Sequence, residues 1–187
     1  MRVISGAARG CRLTAPKGVN TRPTADRLKE NLFNILQPRI AGAYFLDLFS
    51  GSGAIGIEAL SRGADAAVFV ERDFAAVSVI RENLRKTKLA ERAGVLALSA
   101  GEALARLFND KKTFDIIFMD PPYGSELAKT TFALLARYNI LKDGGILIAE
   151  LPSEGDAPVS EIFAPLKSKT YGSTRMVFYE GTVPGQL

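Results

Sequence analysis

The chain has 187 residues, an ordinary apolar fraction of 47% and a charged fraction of 24%, which fits one globular domain. It contains no histidine and one cysteine, Cys11. Ser-His-Asp and Cys-His catalysis, His-ligated metals, Cys-rich zinc sites and an intrachain disulfide are therefore excluded. The net charge of +4 is uneven: residues 1–30 hold seven cations against Asp26 and Glu30, and the remaining 157 residues carry −1. A basic arm of this kind suits a polyanionic partner such as nucleic acid, or is simply a solvated face.

In chain order, Arg2–Ser5 and Cys11–Thr14 are short β-prone runs punctuated by Gly6 and Gly10, which predicts a small hairpin. A helix follows Arg22-Pro23-Thr24, with Leu28, Leu32, Phe33, Ile35 and Leu36 on one face. Thr24 is its expected N-cap and Pro38 its expected end. Residues 1–40 thus form a basic hairpin-plus-helix extension of a core spanning 41–187.

The core alternates strand signals with helical ones. Strands are expected at Tyr44–Phe49, Ala67–Glu71, Gly94–Leu98, Phe114–Asp120 and Gly145–Glu150. Helices are expected around 54–62, 74–86, 101–108 and 126–137. Runs such as Ile116-Ile117-Phe118-Met119 lack alternation, as in a sheet covered on both faces. The order is that of a doubly wound α/β sheet, mostly parallel. Leu166–Tyr171 and Arg175–Glu180, joined through Gly172-Ser173-Thr174, predict a closing antiparallel hairpin. The longest apolar runs are far below the 18 or so residues of a membrane span, and the N-terminus lacks the apolar stretch of a secretory signal, so a cytoplasmic protein is expected.

Ligands of such sheets sit at the carboxyl ends of the strands. The first core strand runs into Asp47-Leu48-Phe49-Ser50-Gly51-Ser52-Gly53-Ala54-Ile55-Gly56, and Glu71 follows Gly51 by 20 residues. Three glycines in a G-x-G-x-x-G pattern, then an acid at ribose distance, suit an adenosine-type cofactor. A nicotinamide dinucleotide and S-adenosylmethionine both fit that pattern. Asp47 favours the second: a carboxylate at the mouth of the site would repel a pyrophosphate, whereas it accepts from an ammonium or hydroxyl.

The second motif, Asp120-Pro121-Pro122-Tyr123, caps the fourth strand. Two prolines stiffen the turn and leave carbonyls beside a carboxylate and a ring. That set suits a planar aromatic amine, with acceptors for its N–H groups and a face to stack on it. Cys11, in the basic hairpin, is a poor candidate for a nucleophile.

These motifs resemble the class I methyltransferases that modify exocyclic amines. More specifically, Arg22-Pro-Thr-Ala-Asp-Arg-Leu-Lys-Glu-Asn-Leu-Phe-Asn34, Ile4-Ser-Gly6 with Arg9-Gly-Cys-Arg-Leu13, Gly51–Gly63 and Tyr171-Gly-Ser-Thr174 are similar to segments of the bacterial 16S ribosomal RNA guanine-N2 methyltransferases, the RsmD family. The resemblance implies a Rossmann-like methyltransferase fold with a seven-stranded sheet, S-adenosylmethionine as donor, and a 16S rRNA guanine of the small subunit as substrate. No metal is needed for such a transfer, the short apolar runs argue against a membrane, and the chain is expected to suffice as a monomer. DNA adenine N6 or a protein glutamine amide is the alternative acceptor for the same motif.

Residues and resemblance together nominate Asp47, Phe49, Ser50, Gly51, Gly53, Glu71, Arg72, Ala100 and Asp120 for the cofactor. Asp120, Pro121, Pro122 and Tyr123 are nominated for catalysis, and Arg22, Thr24, Arg27 and Tyr123 for substrate. Two positions depart from the family. Leu98-Ser99-Ala100-Gly101-Glu102 has no Asn or Asp where the family often meets adenine, and Ser173 stands where an acid is common.

Overall fold

The computed structural model describes residues 1–16, 23–122 and 126–181, the side chains of 23–26 excepted. The chain divides into two compact units, Met1–Ser99 and Ala100–Leu187. It is α/β, with a mostly parallel set of seven strands that ends in an antiparallel hairpin, as the sequence and its resemblance led us to expect.

In the first unit, helix α1 (Pro23–Ile40) precedes β1 (Tyr44–Leu48), α2 (Ala54–Ser61), β2 (Ala66–Val70), α3 (Phe74–Thr87), a short 3-10 turn (Ala90–Arg92) and β3 (Ala93–Leu96). The strands lie parallel in the order β3-β2-β1. Register pairs Leu48 with Val70, so β1 and β2 release their chains side by side at the carboxyl edge. Phe45, Leu46, Leu48, Phe69 and Val70 are buried beneath Ile57, Leu60, Val77 and Ile80 from the helices. Helix α1 adds Leu32, Phe33, Leu36 and Ile40 to this core, and the Phe33 and Phe45 rings stack at 6.4 Å.

Two expectations about α1 are corrected. Pro23 is its first residue, a position where a missing N–H forfeits nothing, so Thr24 lies inside the helix and is not its N-cap. Pro38 does not end the helix, which continues to Ile40. Pro38 and Asn34, the residue four before it, are both exposed, so the single bond it forfeits lies within the last turns on a wet face. The N-terminal hairpin is also shorter than expected: one antiparallel bridge, Arg2 to Arg12, flanked by bonds from the Val3 N–H to the Cys11 carbonyl and from the Leu13 N–H to the Met1 carbonyl.

The second unit runs α4 (Ala100–Asn109), β4 (Phe114–Met119), α5 (Leu127–Tyr138), β5 (Leu141–Pro152), β6 (Phe163–Tyr171) and β7 (Thr174–Gly181). Its strand order is β4-β5-β7-β6, with β4 and β5 parallel and β7 antiparallel to both neighbours. Tyr171 pairs with Thr174 across Gly172-Ser173. Gly172 takes φ of 62° and Ser173 stays outside the positive region, the pattern of a type II′ turn with glycine first. Phe132 of α5 packs on Phe163 at 5.6 Å and on Tyr179 at 5.1 Å. Among the described residues no helix is long and apolar enough to cross a membrane.

Candidate functional site

The loop between β1 and α2 is built from both of its ends. Leaving β1, Phe49 takes φ of 66°, a left-handed conformation that is rare for a bulky residue and holds of order 1–2 kcal/mol of strain. Ser50 is buried and stitches the strand ends together: its Oγ donates to the Asp47 carbonyl at 2.7 Å and accepts from the Val70 N–H at 3.0 Å. Gly51 and Gly53 then adopt φ of 54° and 77°, which only glycine adopts freely. Nothing lies within 4 Å of where a Gly51 side chain would point, so this backbone faces open space. Gly53 is the N-cap of α2, and no side chain caps that end.

Two carboxylates hold the loop. Glu71, half-buried just past β2, accepts from the Gly51 N–H at 2.9 Å through Oε2 and from the Asp73 N–H at 2.9 Å through Oε1. Each carboxylate oxygen retains a further lone pair for a hydroxyl donor. Asp47 is 1% exposed, and its Oδ2 accepts from the Gly56 N–H at 3.0 Å. Burial pushes its carboxyl up to about 7, against the Gly56 bond that lowers it and with the Glu71 charge that raises it. The expected place of Asp47 at the mouth is therefore corrected. It lies beneath the loop, because β1 is covered on both faces from Phe45 to Leu48 and the first turn of α2 offers it an amide.

Gly56 serves packing and not ligand approach: a Cβ there would sit 2.4 Å from the Phe69 ring, so α2 can lie on β2 only without it. The loop is braced from outside by Asn83 of α3, fully buried, whose Nδ2 donates to the Ser52 and Thr14 carbonyls and whose Oδ1 accepts from the Thr14 N–H. Of the remaining nominated cofactor residues, Arg72 is exposed beyond β2. Ala100 is buried at the start of α4 in the second unit, where it can offer only a methyl and a backbone amide.

A second centre lies on the other side of α2. Glu58 is wholly buried and accepts from the Ile4 N–H at 2.8 Å, the Ser5 N–H at 3.0 Å and Arg62 Nε at 2.8 Å. Lys29, 2% exposed, lies 3.2 Å from Glu58 and donates to the Arg2 carbonyl at 2.6 Å. Ser61 completes the clamp, its Oγ donating to the Ser5 carbonyl and accepting from the Ala8 N–H. Gly6 crosses so close that a side chain would fall within 2 Å of the Ser61 carbonyl. The basic extension is thus keyed to α2 through a buried ion pair, and the sequence reading missed Lys29, Glu58 and Asn83. The available signal was a charged or amide residue inside each apolar helical stripe.

In the second unit, Asp120 follows Met119 at the end of β4 and is exposed, with Pro121 buried behind it and Pro122 exposed. The carboxylate is thus presented at a strand end by a turn that two prolines stiffen. Tyr123 and Arg22 lie outside the described residues, as does the side chain of Thr24; Arg27 is exposed on α1. Cys11 is a free, partly exposed thiol within the hairpin. Among the described residues no group of three or more Cys, Asp or Glu side chains is arranged to hold a metal ion.

The family described as conserved hypothetical protein 95 matches residues 1–180. The ribosomal RNA small subunit methyltransferase D of Haemophilus influenzae is 36% identical over 181 residues, covering 96% of this chain and 93% of that protein. The protein of the same name from Escherichia coli K12 is 34% identical over 187 residues, covering all of this chain and 92% of its own. A solved hypothetical protein of Thermus thermophilus superposes with a TM-score of 0.83 at 34% identity, over 96% of this chain and 99% of that one.

Proposed function

Because the chain belongs to the family of the small-subunit ribosomal RNA methyltransferases D, we propose that it transfers a methyl group from S-adenosylmethionine to the exocyclic N2 amine of a guanine in 16S rRNA. The observation that carries the donor assignment is the glycine loop held by two carboxylates, Glu71 at its rim and Asp47 beneath it. A pyrophosphate would meet the Glu71 carboxylate at the rim, with no cation of the loop to offset it. A zwitterionic nucleoside with ribose hydroxyls and a sulfonium centre meets acceptors and a favourable field, so the residues present fit the donor.

When bound, S-adenosylmethionine supplies an electrophilic methyl on a sulfonium sulfur. Glu71, already oriented by Gly51 and Asp73, accepts from the ribose hydroxyls. The open backbone at Gly51 admits the ligand, and Asp47 acts through the loop it holds. A guanine N2 amine is a weak nucleophile because its lone pair is delocalised into the ring. Asp120 Oδ and the Pro121 carbonyl accept its two N–H groups, which favours pyramidal geometry and frees that lone pair. Tyr123 stacks on the base, which leaves its own stack or already lies in a loop. The amine would take the methyl in line, the sulfur keeping the electron pair of the broken methyl–sulfur bond and leaving as a neutral thioether, and the amine's proton leaves late, to water. Catalysis is positioning and electrostatics. The chain acts in the cytoplasm and as a monomer in this reading.

The test is transfer of a labelled methyl to 16S rRNA, alone and in the small subunit, with tRNA, DNA and protein as controls. N2-methylguanosine in digested 16S rRNA is the expected product. Asp120→Ala should lower turnover by about 10²–10³ with donor affinity little changed, by analogy with loss of one preorganised hydrogen-bonding group. Label on adenine N6 or on protein would refute the acceptor assignment, and near wild-type single-turnover rates in Asp120→Ala would refute the role of the carboxylate.

A further inference from the structure

The N-terminal hairpin and α1 enclose a groove of about 370 Å³ whose walls include Arg2, Ile4, Arg9, Arg27 and Glu30. That volume lies within the roughly 300–1,000 Å³ of clefts that take small molecules or parts of larger ones. The groove is strongly cationic. Arg2 and Arg12 form the one bridge pair of the hairpin, and the bonds flanking them mark a non-hydrogen-bonded pair. Side chains of such a pair are the closest across two strands, and like charges placed opposite are destabilising. Among the described residues neither guanidinium has an acid to neutralise it. Arg9 and Arg27 are likewise without an ion pair there. Arg27 and Glu30 are spaced i, i+3 on α1, yet no salt bridge closes between them.

The backbone beneath is rigid. Lys29, on the turn that carries Arg27 and Glu30, donates to the Arg2 carbonyl and pairs with the buried Glu58. The spacing between the hairpin cations and α1 is therefore fixed before any ligand arrives.

We infer that this groove is a ribose-phosphate subsite for RNA, with Arg2, Arg9 and Arg27 on phosphate oxygens and Glu30 accepting from a ribose 2′-hydroxyl. The inference rests on the reading of the chain as an RNA-modifying enzyme in taking RNA as the ligand. The carboxylate decides the class within nucleic acids. A bare phosphate chain would be repelled by Glu30. RNA brings an O–H donor on every nucleotide whatever its sequence, and DNA lacks it at the same place. Guanidinium forks bind phosphate bidentately, which suits arginine at these positions. The subsite would hold RNA backbone flanking the target by contacts that carry no base sequence.

The experiment measures fluorescence anisotropy of a labelled RNA hairpin, and of the DNA hairpin of equal sequence, across a salt series. The full-length chain is compared with Arg2→Gln/Arg9→Gln and with Glu30→Ala. These side chains are exposed, and S-adenosylmethionine calorimetry on each variant checks that the chain is intact. The double variant should flatten the slope of log affinity against log salt by about 1.4–1.8, the loss of two phosphate contacts. Glu30→Ala should abolish the preference for RNA over DNA. An unchanged slope in the double variant overturns the phosphate assignment. Tighter binding of both hairpins by one common factor in Glu30→Ala overturns the hydroxyl assignment. Methyl transfer by the unaltered chain is read separately: failure to methylate rRNA with the salt slope intact fails the activity and leaves the groove standing.

Discussion

Asp47→Asn isolates one buried proton. The Asp47 carboxyl is raised to about 7 in the folded chain from 3.8, first by burial, with the Glu71 charge adding to it and the Gly56 N–H opposing. A folded value above the unfolded one means that the folded chain keeps a proton which the unfolded chain releases. The stability it contributes is fully present below pH 4 and is lost as pH rises to 7, levelling off above. At about 1.4 kcal/mol for each factor of ten in acidity, the loss is of order 4 kcal/mol. Asparagine is close in size, cannot ionise and keeps an oxygen for the Gly56 N–H. Urea unfolding of both proteins from pH 4 to pH 9 gives the difference curve, in which all other titrations cancel. The wild type should fall relative to Asp47→Asn across pH 4–7 and run parallel to it above pH 7. Parallel curves through pH 4–7 would show that Asp47 is not a buried acid beneath the loop, and its placement there would fail.

Three further substitutions read the scaffold. Glu58→Ala leaves the Lys29 ammonium and the Ile4 and Ser5 amides without their buried acceptor, and should cost about 3–5 kcal/mol in urea unfolding. Gly56→Ala should cost about 1–3 kcal/mol through overpacking, most of it regained in Gly56→Ala/Phe69→Leu, since the Phe69 ring is what the new methyl meets. Tyr179 is wholly buried with its hydroxyl unpartnered among the described residues, and burial raises that hydroxyl to about 12. Tyr179→Phe should therefore unfold at the same or a higher temperature, and a loss above about 1 kcal/mol would reveal a partner for the hydroxyl.

The fold was readable because its signals are local. Each core strand is an apolar run closed by a turn residue, and the helices carry an apolar stripe or, in α2, are buried nearly all round, so the five α-helices and seven strands among the described residues lie within a few residues of where these patterns put them. The errors share a cause: they sit where one residue overrides its segment. Pro38 is tolerated because the forfeited bond faces water, and Pro23 takes the first helical position from Thr24. The hairpin closes on a single bridge because Gly6 and the segment after it are occupied with α2 instead of with a facing strand.

The site was half legible, for a related reason. Residue types at fixed spacing found Glu71 and the glycine loop, and the contact of Glu71 with Gly51 joins residues 20 apart through the shared edge of β1 and β2. Which way a side chain turns was not readable for Asp47. Spacing from the first glycine put it near the loop, but β1 is buried along four successive residues, Phe45–Leu48, so both of its faces are covered and Asp47 with them. Lys29 was hidden in the same way. Its charge argued for the surface, whereas its place between Leu28 and Leu32 on α1 turned it onto Glu58. Buried charges are retained only where a partner neutralises them, so a lysine in an apolar stripe and a glutamate in the most apolar helix of the chain are best read together. Each would be costly alone; as a pair they fix where the basic extension begins, and with it the position of every cation in the groove.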